Sequence, residues 1–261
     1  MELIGGPKLA DSLVTKALVT GRHVITANKP LIATEGERLA SLAADCGVAL
    51  RYSAAVGGGM PALEVIERAL GLGPIRSFRG VLNGTTNFVL DRLAGGQDLK
   101  SAVSAAQEAG YAEANCRFDL NGTDATQKLI LLARKAFGVS LPFDSIERIG
   151  IEDIDAQWLR DSRAKGQVVR LVASCQHGTD GLKASVKPVE LPQTDPLASA
   201  SGVENCLVVE TESGASFIVS GKGAGRWPTT ESVMADLLDL RRETQLTQLT
   251  EEVEDREECV A

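Results

Sequence analysis

Along residues 1–56, segments with a strand-like pattern of apolar positions alternate with segments whose pattern is typical of helices. Short apolar runs typical of strands occur in ELIG (2–5), HVITAN (23–28) and VALRYSAAV (48–56). Between them lie two predicted helices, one from Pro7 to Thr20 and one from Pro30 to about Cys46. Strands that alternate with helices through short connections predict a parallel sheet covered by helices, which is the α/β class.

The pattern changes after VGGGMP at residues 56–61. A helix at 62–71, a strand at 75–82, a helix capped by Asn83 or Thr85 and a helix at 99–109 come next. Strand-rich runs follow residue 166: QVVRLVASCQ, GLKASVKPVEL, ENCLVVET and ASFIVSG. Neighbouring runs of this kind predict an antiparallel or mixed sheet, so this part is α+β. A last helix is predicted near Pro228, and the acidic segment 243–261 is expected to fray or to be disordered.

Composition narrows the classes of function. The 261 residues are 44% hydrophobic and 24% charged, which is typical of a soluble globular protein, and the net charge is −8. Nucleic acids and anionic membranes bind positive faces, so we expect neither as a partner. Five cysteines without a CxxC pair and only two histidines favour free thiols over a metal site or a catalytic triad. Without a signal-peptide pattern or a long apolar run, the expected location is cytoplasmic.

GTDATQKLILLARKAFG places Asp124 and Lys128 four residues apart at the start of a helix that is otherwise nearly all apolar. An exposed pair at this spacing is ordinary helix stabilisation, worth about 0.2–0.5 kcal/mol. The apolar remainder indicates a helix buried on most sides, where an ion pair is partly desolvated and is more often kept for a functional reason. From these residues alone, both interpretations stay open.

Two turn segments can bind an anion. In VLNGTTNF, Asn83, Thr85 and Thr86 open a helix, so backbone N–H groups and hydroxyls would converge on a carboxylate; alternatively, they only cap their own helix. In GKGAGR, glycines at positions 221, 223 and 225 precede a helix and suit close approach to a phosphate or to neighbouring backbone. Neither segment is a GxGxxG fingerprint.

Charged residues supply two further candidates. Lys29 in TANKP follows a predicted strand, at the end where α/β sheets bind substrates or cofactors, although it can equally be a surface lysine. Glu113, Asp119 and Asp124 lie within twelve residues. They can bind an amino group, or they form a solvated acidic loop.

Taken in this order, the segments resemble the homoserine dehydrogenase family over about residues 1–242, with NGTTN and GTDATQK the most specific matches. The resemblance implies NAD(P)-dependent interconversion of L-homoserine and L-aspartate 4-semialdehyde. It implies that Lys128 is the acid/base lysine, that Asp124 is its partner, that Lys29 lies where nicotinamide and substrate meet, and that Glu113 binds the substrate's amino group. The matching segments are ELIGG, GRHVITANKPLIA, RYSAAVGGGMP, VLNGTTNFVL, EAGYAEANCRFDLNGTDATQKLILLARKAFG, DPLASASGVENCLVVE and GKGAGRWPTTESVMADLL.

Further residues gain roles from the same resemblance. We expect substrate-binding residues at Asp119, Asn83, Gly84, Thr85 and Thr86. Cofactor-binding residues are expected at Lys29, Asn28, Gly5, Gly223 and Gly225. Backbone carbonyls of Val56, Gly58 and Met60 are expected to bind a monovalent cation, Na⁺ or K⁺. The family also implies a homodimer built through the strand-rich half.

The implied organisation is an incomplete Rossmann-like nucleotide-binding portion followed by a mixed-sheet catalytic and dimerisation domain. Residues 1–55 would be the remnant of the dinucleotide-binding domain, to which 221–242 return. Residues 56–220 would form the second domain and 243–261 an acidic tail.

Three departures from the family pattern matter. Ser53 stands where many members carry a glutamate beside the cation site, and Asn115 and Cys116 replace a common Asp-Pro. The chain also lacks the glycine-rich βαβ half, roughly 80–100 residues, so we expect slow turnover from it alone and cannot assign NAD or NADP. Alternatives are a non-catalytic short homologue that binds an amino acid or a full-length subunit, and a related dehydrogenase with a different aldehyde substrate.

Overall fold

The computed structural model describes residues 1–4, 6–179 and 181–258, with side chains described as far as Leu246. The N-terminal part contains a two-stranded parallel sheet and two helices. Strands β1 (Val24–Ile25) and β2 (Leu50–Arg51) pair with Val24 opposite Leu50. A parallel bridge joins Glu2 to Thr26, whereas Leu3 and Ile4 of the predicted strand at 2–5 are not in a strand.

Helices α1 (Pro7–Val19) and α2 (Lys29–Asp45) confirm two predicted helices and pack against one another. The buried face of α1 carries Ala10, Val14 and Leu18, which recur every fourth residue. Asn28 caps α2, since its side-chain oxygen accepts the Leu31 N–H at 3.2 Å.

The strand predicted across residues 48–56 is wrong in its second half. Ser53–Val56 form a short helix, α3. The Asp236 carboxylate accepts the Ser53 N–H at 3.2 Å and the Ser53 hydroxyl at 2.8 Å. Because this partner lies 183 residues away in the chain, no local pattern could reveal it.

A six-stranded sheet forms the second part, in the order β4-β6-β5-β3-β7-β8. Its pairs are antiparallel, except that β4 and β6 run parallel. The strands are β3 (Ile75–Val81), β4 (Glu147–Arg148), β5 (Gln167–Gly178), β6 (Gly181–Pro192), β7 (Glu204–Thr211) and β8 (Ser216–Lys222). This mixed sheet confirms the predicted combination of α/β and α+β structure.

Helices cover one face of this sheet. The central one is α8 (Thr123–Phe137), in which Leu129–Ala133 are all buried, as its apolar pattern predicts. A 3₁₀ helix, Pro196–Ser199, packs with Val81, Val172 and Leu191 in a separate apolar cluster. The remaining helices are α4 (Ala62–Leu70), α5 (Gly84–Ala94), α6 (Leu99–Glu108), α7 (Arg117–Leu120) and α9 (Ala156–Ala164).

The last helix, α10 (Arg226–Glu258), returns to the N-terminal part. Its Val233 and Leu240 form a buried cluster with Ile25. The backbone remains helical through most of the acidic segment expected to fray or to be disordered; residues 259–261 of that segment lie outside the described residues. Within the described ranges, the helices fall short of the combined length and apolar character that crossing a bilayer requires.

Candidate active site

A cavity of about 570 Å³ lies where the N-terminal ends of α5, α8 and α10 meet Lys29 of α2. Six lining residues carry the chemistry considered below: Lys29, Asn83, Asp119, Asp124, Lys128 and Gly223. Residues far apart in the sequence thus meet in one cavity, as the resemblance implies.

Asp124 is the centre of a charged cluster. Its carboxylate accepts hydrogen bonds from Lys29 Nζ and, at 2.9 Å, from Asn83 Nδ2, and it forms an ion pair with Lys128 Nζ at 3.1 Å. Burial would raise the pKa of Asp124, but the positive charges of Lys128 and Lys29 outweigh it and hold this pKa well below its usual range. The carboxylate also lies in the first turn of α8, where the helix dipole favours negative charge. Asp124 is therefore kept ionised.

Lys128 is only 5% exposed. Its Nζ donates to the Leu82 carbonyl oxygen at 2.6 Å, besides contacting Asp124. Burial lowers the pKa of Lys128 and the Lys29 charge lowers it further, whereas Asp124 raises it; the net shift is downward. Burial therefore outweighs the Asp124 charge in setting the pKa of Lys128, which favours release of the lysine proton.

Asn83 links two carboxylates. Its Nδ2 donates to Asp119 Oδ1 at 2.7 Å as well as to Asp124, while its Oδ1 accepts the Thr86 N–H at 2.8 Å and so caps α5. Burial raises the pKa of Asp119, and the Asp124 charge adds to this against the Asn83 hydrogen bond. The environments of the two carboxylates therefore push their pKa values in opposite directions, an arrangement found in acid/base sites.

The other predicted substrate residues are spread more widely. Gly84 and Thr85 line the cavity, with the Thr85 hydroxyl donating to the Tyr111 carbonyl at 2.6 Å. Thr86 is buried outside the lining, and its hydroxyl donates to the Asn83 carbonyl at 3.0 Å, a contact within the first turn of α5. Glu113 is exposed and does not line the cavity.

Some of the predicted cofactor residues line the cavity and others do not. Gly223 and Gly225 line the cavity, whereas Asn28 is buried as the cap of α2. Gly5 lies outside the described residues.

The three predicted cation ligands lie on the segment from the end of α3 to the start of α4. This segment is fixed by the Gly59 N–H, which donates to the Lys222 carbonyl at 2.9 Å. The Met60 carbonyl accepts the Ala62 N–H at 2.7 Å, which leaves it one lone pair. Val56 is the last residue of α3, and a side chain at Gly58 would come within 2.7 Å of the Gly223 backbone.

The model of the family described as "Homoserine dehydrogenase" matches residues 61–238, more than half of the chain. The chain belongs to the homoserine dehydrogenase family. The match includes Asn83, Asp119, Asp124 and Lys128 of the charged cluster, while Lys29 precedes it.

Relatives named homoserine dehydrogenase support the assignment. The protein from Pseudomonas aeruginosa is 37% identical over 243 residues, which are 93% of this chain and 56% of that protein. The protein from Lactococcus lactis is 36% identical, over 91% of this chain and 56% of its own length. The chain thus spans about 56% of the length of these relatives.

Solved homoserine dehydrogenase structures have the same fold. The enzyme from Thiobacillus denitrificans superimposes with a TM-score of 0.89 at 33% identity, covering 94% of this chain and 57% of that one. A hyperthermophilic archaeal homoserine dehydrogenase in complex with NADPH gives 0.78 at 30% identity, covering 90% of this chain and 69% of that one.

Two further buried residues near the cavity were not identified from the sequence. Asn205 is fully buried under Gly223, and its side-chain amide occupies the space that any larger residue at 223 would need. Asp236 accepts hydrogen bonds from the N–H and the hydroxyl of Ser53. Both residues lie in segments that match the family, but each contacts a partner distant in sequence, so the sequence alone did not assign them a role.

Proposed function

We propose that this chain supplies the catalytic site of a homoserine dehydrogenase, which interconverts L-homoserine and L-aspartate 4-semialdehyde with NADP or NAD. The observation that carries this proposal is the meeting of Lys29, Asp124 and Lys128 in one cavity. The family membership is consistent with it.

Lys128 is the proposed acid and base. In the oxidising direction its amine takes the proton of the substrate hydroxyl, and in the reducing direction its ammonium returns that proton to the aldehyde oxygen. The lowered pKa of Lys128 favours the first step. Asp124 orients the ammonium and the hydroxyl, and a nicotinamide cofactor held beside them would supply the hydride chemistry at the substrate carbon.

Asp119 is the proposed partner of the substrate's ammonium group. It lies on the cavity wall, held by Asn83. Gly110 and Tyr111 line the cavity, whereas the Glu113 side chain is exposed outside the lining, so Glu113 would join Asp119 only after a movement of the residues around it. Gly84 and Thr85 are placed to meet the same substrate.

The cavity wall also fits an anionic nicotinamide cofactor. Lys222 and Arg226 lie on it beside Gly223 and Gly225, at the N-terminal end of α10. Positive side chains and a helix N-terminus both attract phosphate groups. The complex of an archaeal relative with NADPH agrees with this chemistry.

A monovalent cation, Na⁺ or K⁺, is proposed at the carbonyls of Val56, Gly58 and Met60. The support is the fixed path of this segment: the Lys222 carbonyl accepts the Gly59 N–H, and Asp236 holds Ser53 at the start of the preceding helix α3. A bound cation would raise the unfolding temperature in NaCl or KCl relative to N-methylglucamine chloride at equal ionic strength.

We also propose a cytoplasmic homodimer. Four described cysteines are free thiols, which suits a reducing compartment. Strand β8 lies at the edge of the six-stranded sheet and exposes Ile218, and such an edge commonly pairs with another chain. Sedimentation equilibrium distinguishes the dimer from a monomer.

The proposed activity is tested by NADPH oxidation in the presence of L-aspartate 4-semialdehyde, with the wild-type chain and Lys128→Met compared. We expect slow turnover that falls by about 10²–10⁴-fold in the variant, the range of one general acid/base group. Turnover equal in both proteins contradicts the role of Lys128. Binding of L-homoserine without any turnover supports instead a non-catalytic amino-acid-binding protein.

A further inference from the structure

The connection between the 3₁₀ helix and β7, residues 200–203, forms part of the cavity wall. Val203 lines the cavity beside Gly84. A side chain at Gly84 would place its Cβ 2.6 Å from the Val203 carbonyl oxygen. The backbones of α5 and of this connection are therefore in close contact at the proposed substrate site.

An ion pair between a buried arginine and a partly exposed aspartate holds the connection at two points. Arg170 of β5 is 4% exposed, and its Nη1 donates to Asp91 Oδ1 at 2.7 Å while its Nε donates to the Ala200 carbonyl at 2.9 Å. The second Asp91 oxygen accepts the Gly202 N–H at 3.1 Å. One charged pair thus binds both ends of a three-residue stretch.

Asn87 supplies a third attachment. It is 1% exposed, and its Nδ2 donates to the Ala200 carbonyl at 3.0 Å and to the Glu204 carbonyl at 3.4 Å. Asn87 and Asp91 are four residues apart and so share one face of α5. The N-terminal end of the same helix carries Asn83, which bridges Asp119 and Asp124.

We propose that Asp91, Asn87 and Arg170 are positioning residues that fix the connection 200–203 as a wall of the substrate site and thereby set the affinity for L-homoserine. This inference rests on the function proposed above. The Asp91 side chain is 38% exposed, and an ion pair with a solvent-exposed partner contributes little to stability, so positioning of the connection is the stronger reason for this one. When a site depends on aligned groups, moving one of its walls by even about 1 Å weakens its function strongly.

The test compares Asp91→Asn with the wild-type chain by amide hydrogen exchange and by L-homoserine titration calorimetry. Asparagine keeps the size of the side chain but has one acceptor oxygen, so it cannot bind both Arg170 and the Gly202 N–H. We expect faster exchange at Gly202 and Val203 and about tenfold weaker homoserine binding. Asn87→Ser, which shortens the donor on the same helix face, should act in the same direction.

Glu210→Gln is the matched control, because it removes the Arg76–Glu210 ion pair of 2.8 Å on the same sheet without touching the connection. Glu210→Gln should change neither the amide exchange at Gly202 and Val203 nor the affinity for L-homoserine. Unchanged exchange in Asp91→Asn, or faster exchange with unchanged homoserine affinity, overturns the proposal. If the wild-type chain binds no homoserine, the proposed function fails, and the exchange rates alone decide whether Asp91 anchors the connection.

Discussion

At the residue scale, the candidate site depends on a carboxylate held ionised between two lysines. Asp124 contacts Lys29 and Lys128, and each lysine lowers its pKa despite burial. Lys128 is at the same time shifted toward its neutral form, chiefly because it is buried. An exposed i,i+4 pair would show neither effect. The structure therefore favours the functional interpretation of this spacing over simple helix stabilisation.

Asp124 should make the stability of the chain sensitive to acid. Its folded pKa lies below the ordinary value of 3.8, so its stabilisation is complete above that pH and is lost as the pH falls toward the lower folded pKa. At about pH 7, Asp124→Asn should cost about 3–5 kcal/mol, because it leaves two lysines without their carboxylate. Urea unfolding should show a smaller difference in the free energy of unfolding between Asp124→Asn and the wild-type chain at about pH 2.5. A difference that is independent of pH would contradict the lowered pKa.

At the element scale, the approach of the β8–α10 connection to β7 depends on glycine. Gly223 lies directly against the buried Asn205 side chain, and both of its amide atoms lack hydrogen-bond partners among the described residues. The sequence suggested close approach to a phosphate or to neighbouring backbone at this glycine. The backbone of Gly223 does lie close to Gly58, and Gly223 is also in contact with a side chain of β7, eighteen residues earlier.

Gly223→Ala should therefore destabilise the chain by about 1–3 kcal/mol through overpacking. In an Asn205→Ala background the added cost should shrink by more than about 0.5 kcal/mol, since the obstructing amide is gone. Thermal or urea unfolding of the four proteins in the cycle measures this coupling. Gly71→Ala is the control, because Gly71 has φ −64° and its nearest neighbour would be at 3.4 Å. Strictly additive effects would contradict the packing described.

At the scale of the whole molecule, α10 ties the end of the chain to its beginning. Asp236 is 5% exposed and caps Ser53 at the start of α3. That short helix leads into the segment 56–60, which in turn contacts Lys222 and Gly223. These contacts connect the N-terminal part of the chain to the end of β8 and to α10.

Asp236→Ala should cost about 1–3 kcal/mol, because it leaves the N–H and hydroxyl of Ser53 without their partner. Asp239→Ala on the same helix is the matched control. Asp239 forms an exposed ion pair with Arg242, so this substitution should change the free energy of unfolding by no more than about 0.5 kcal/mol. Urea unfolding compares the two. Equal effects would show that the Asp236 contact does not couple α10 to α3.

Much of this organisation follows from local sequence. The helices at Pro7–Val19, Lys29–Asp45 and Thr123–Phe137, and the strand-rich second half, have clear periodicity or caps. The cluster of Lys29, Asp124 and Lys128 followed from the family resemblance, since nothing local brings Lys29 to a helix 95 residues later. The helix at Ser53–Val56 and the anchoring of residues 200–203 depend on Asp236 and Arg170, distant partners that no pattern marks.

The most direct measurement is titration calorimetry of the chain with L-homoserine and with L-norvaline, in which a methyl group replaces the reacting hydroxyl. If the Lys29, Asp124 and Lys128 cluster binds that hydroxyl, L-homoserine should bind at least about tenfold more tightly, because norvaline leaves buried polar groups unpaired. Asp124→Asn should remove this preference. Equal affinity for the two amino acids, or a preference that survives Asp124→Asn, would contradict the assignment of this cluster as the homoserine site.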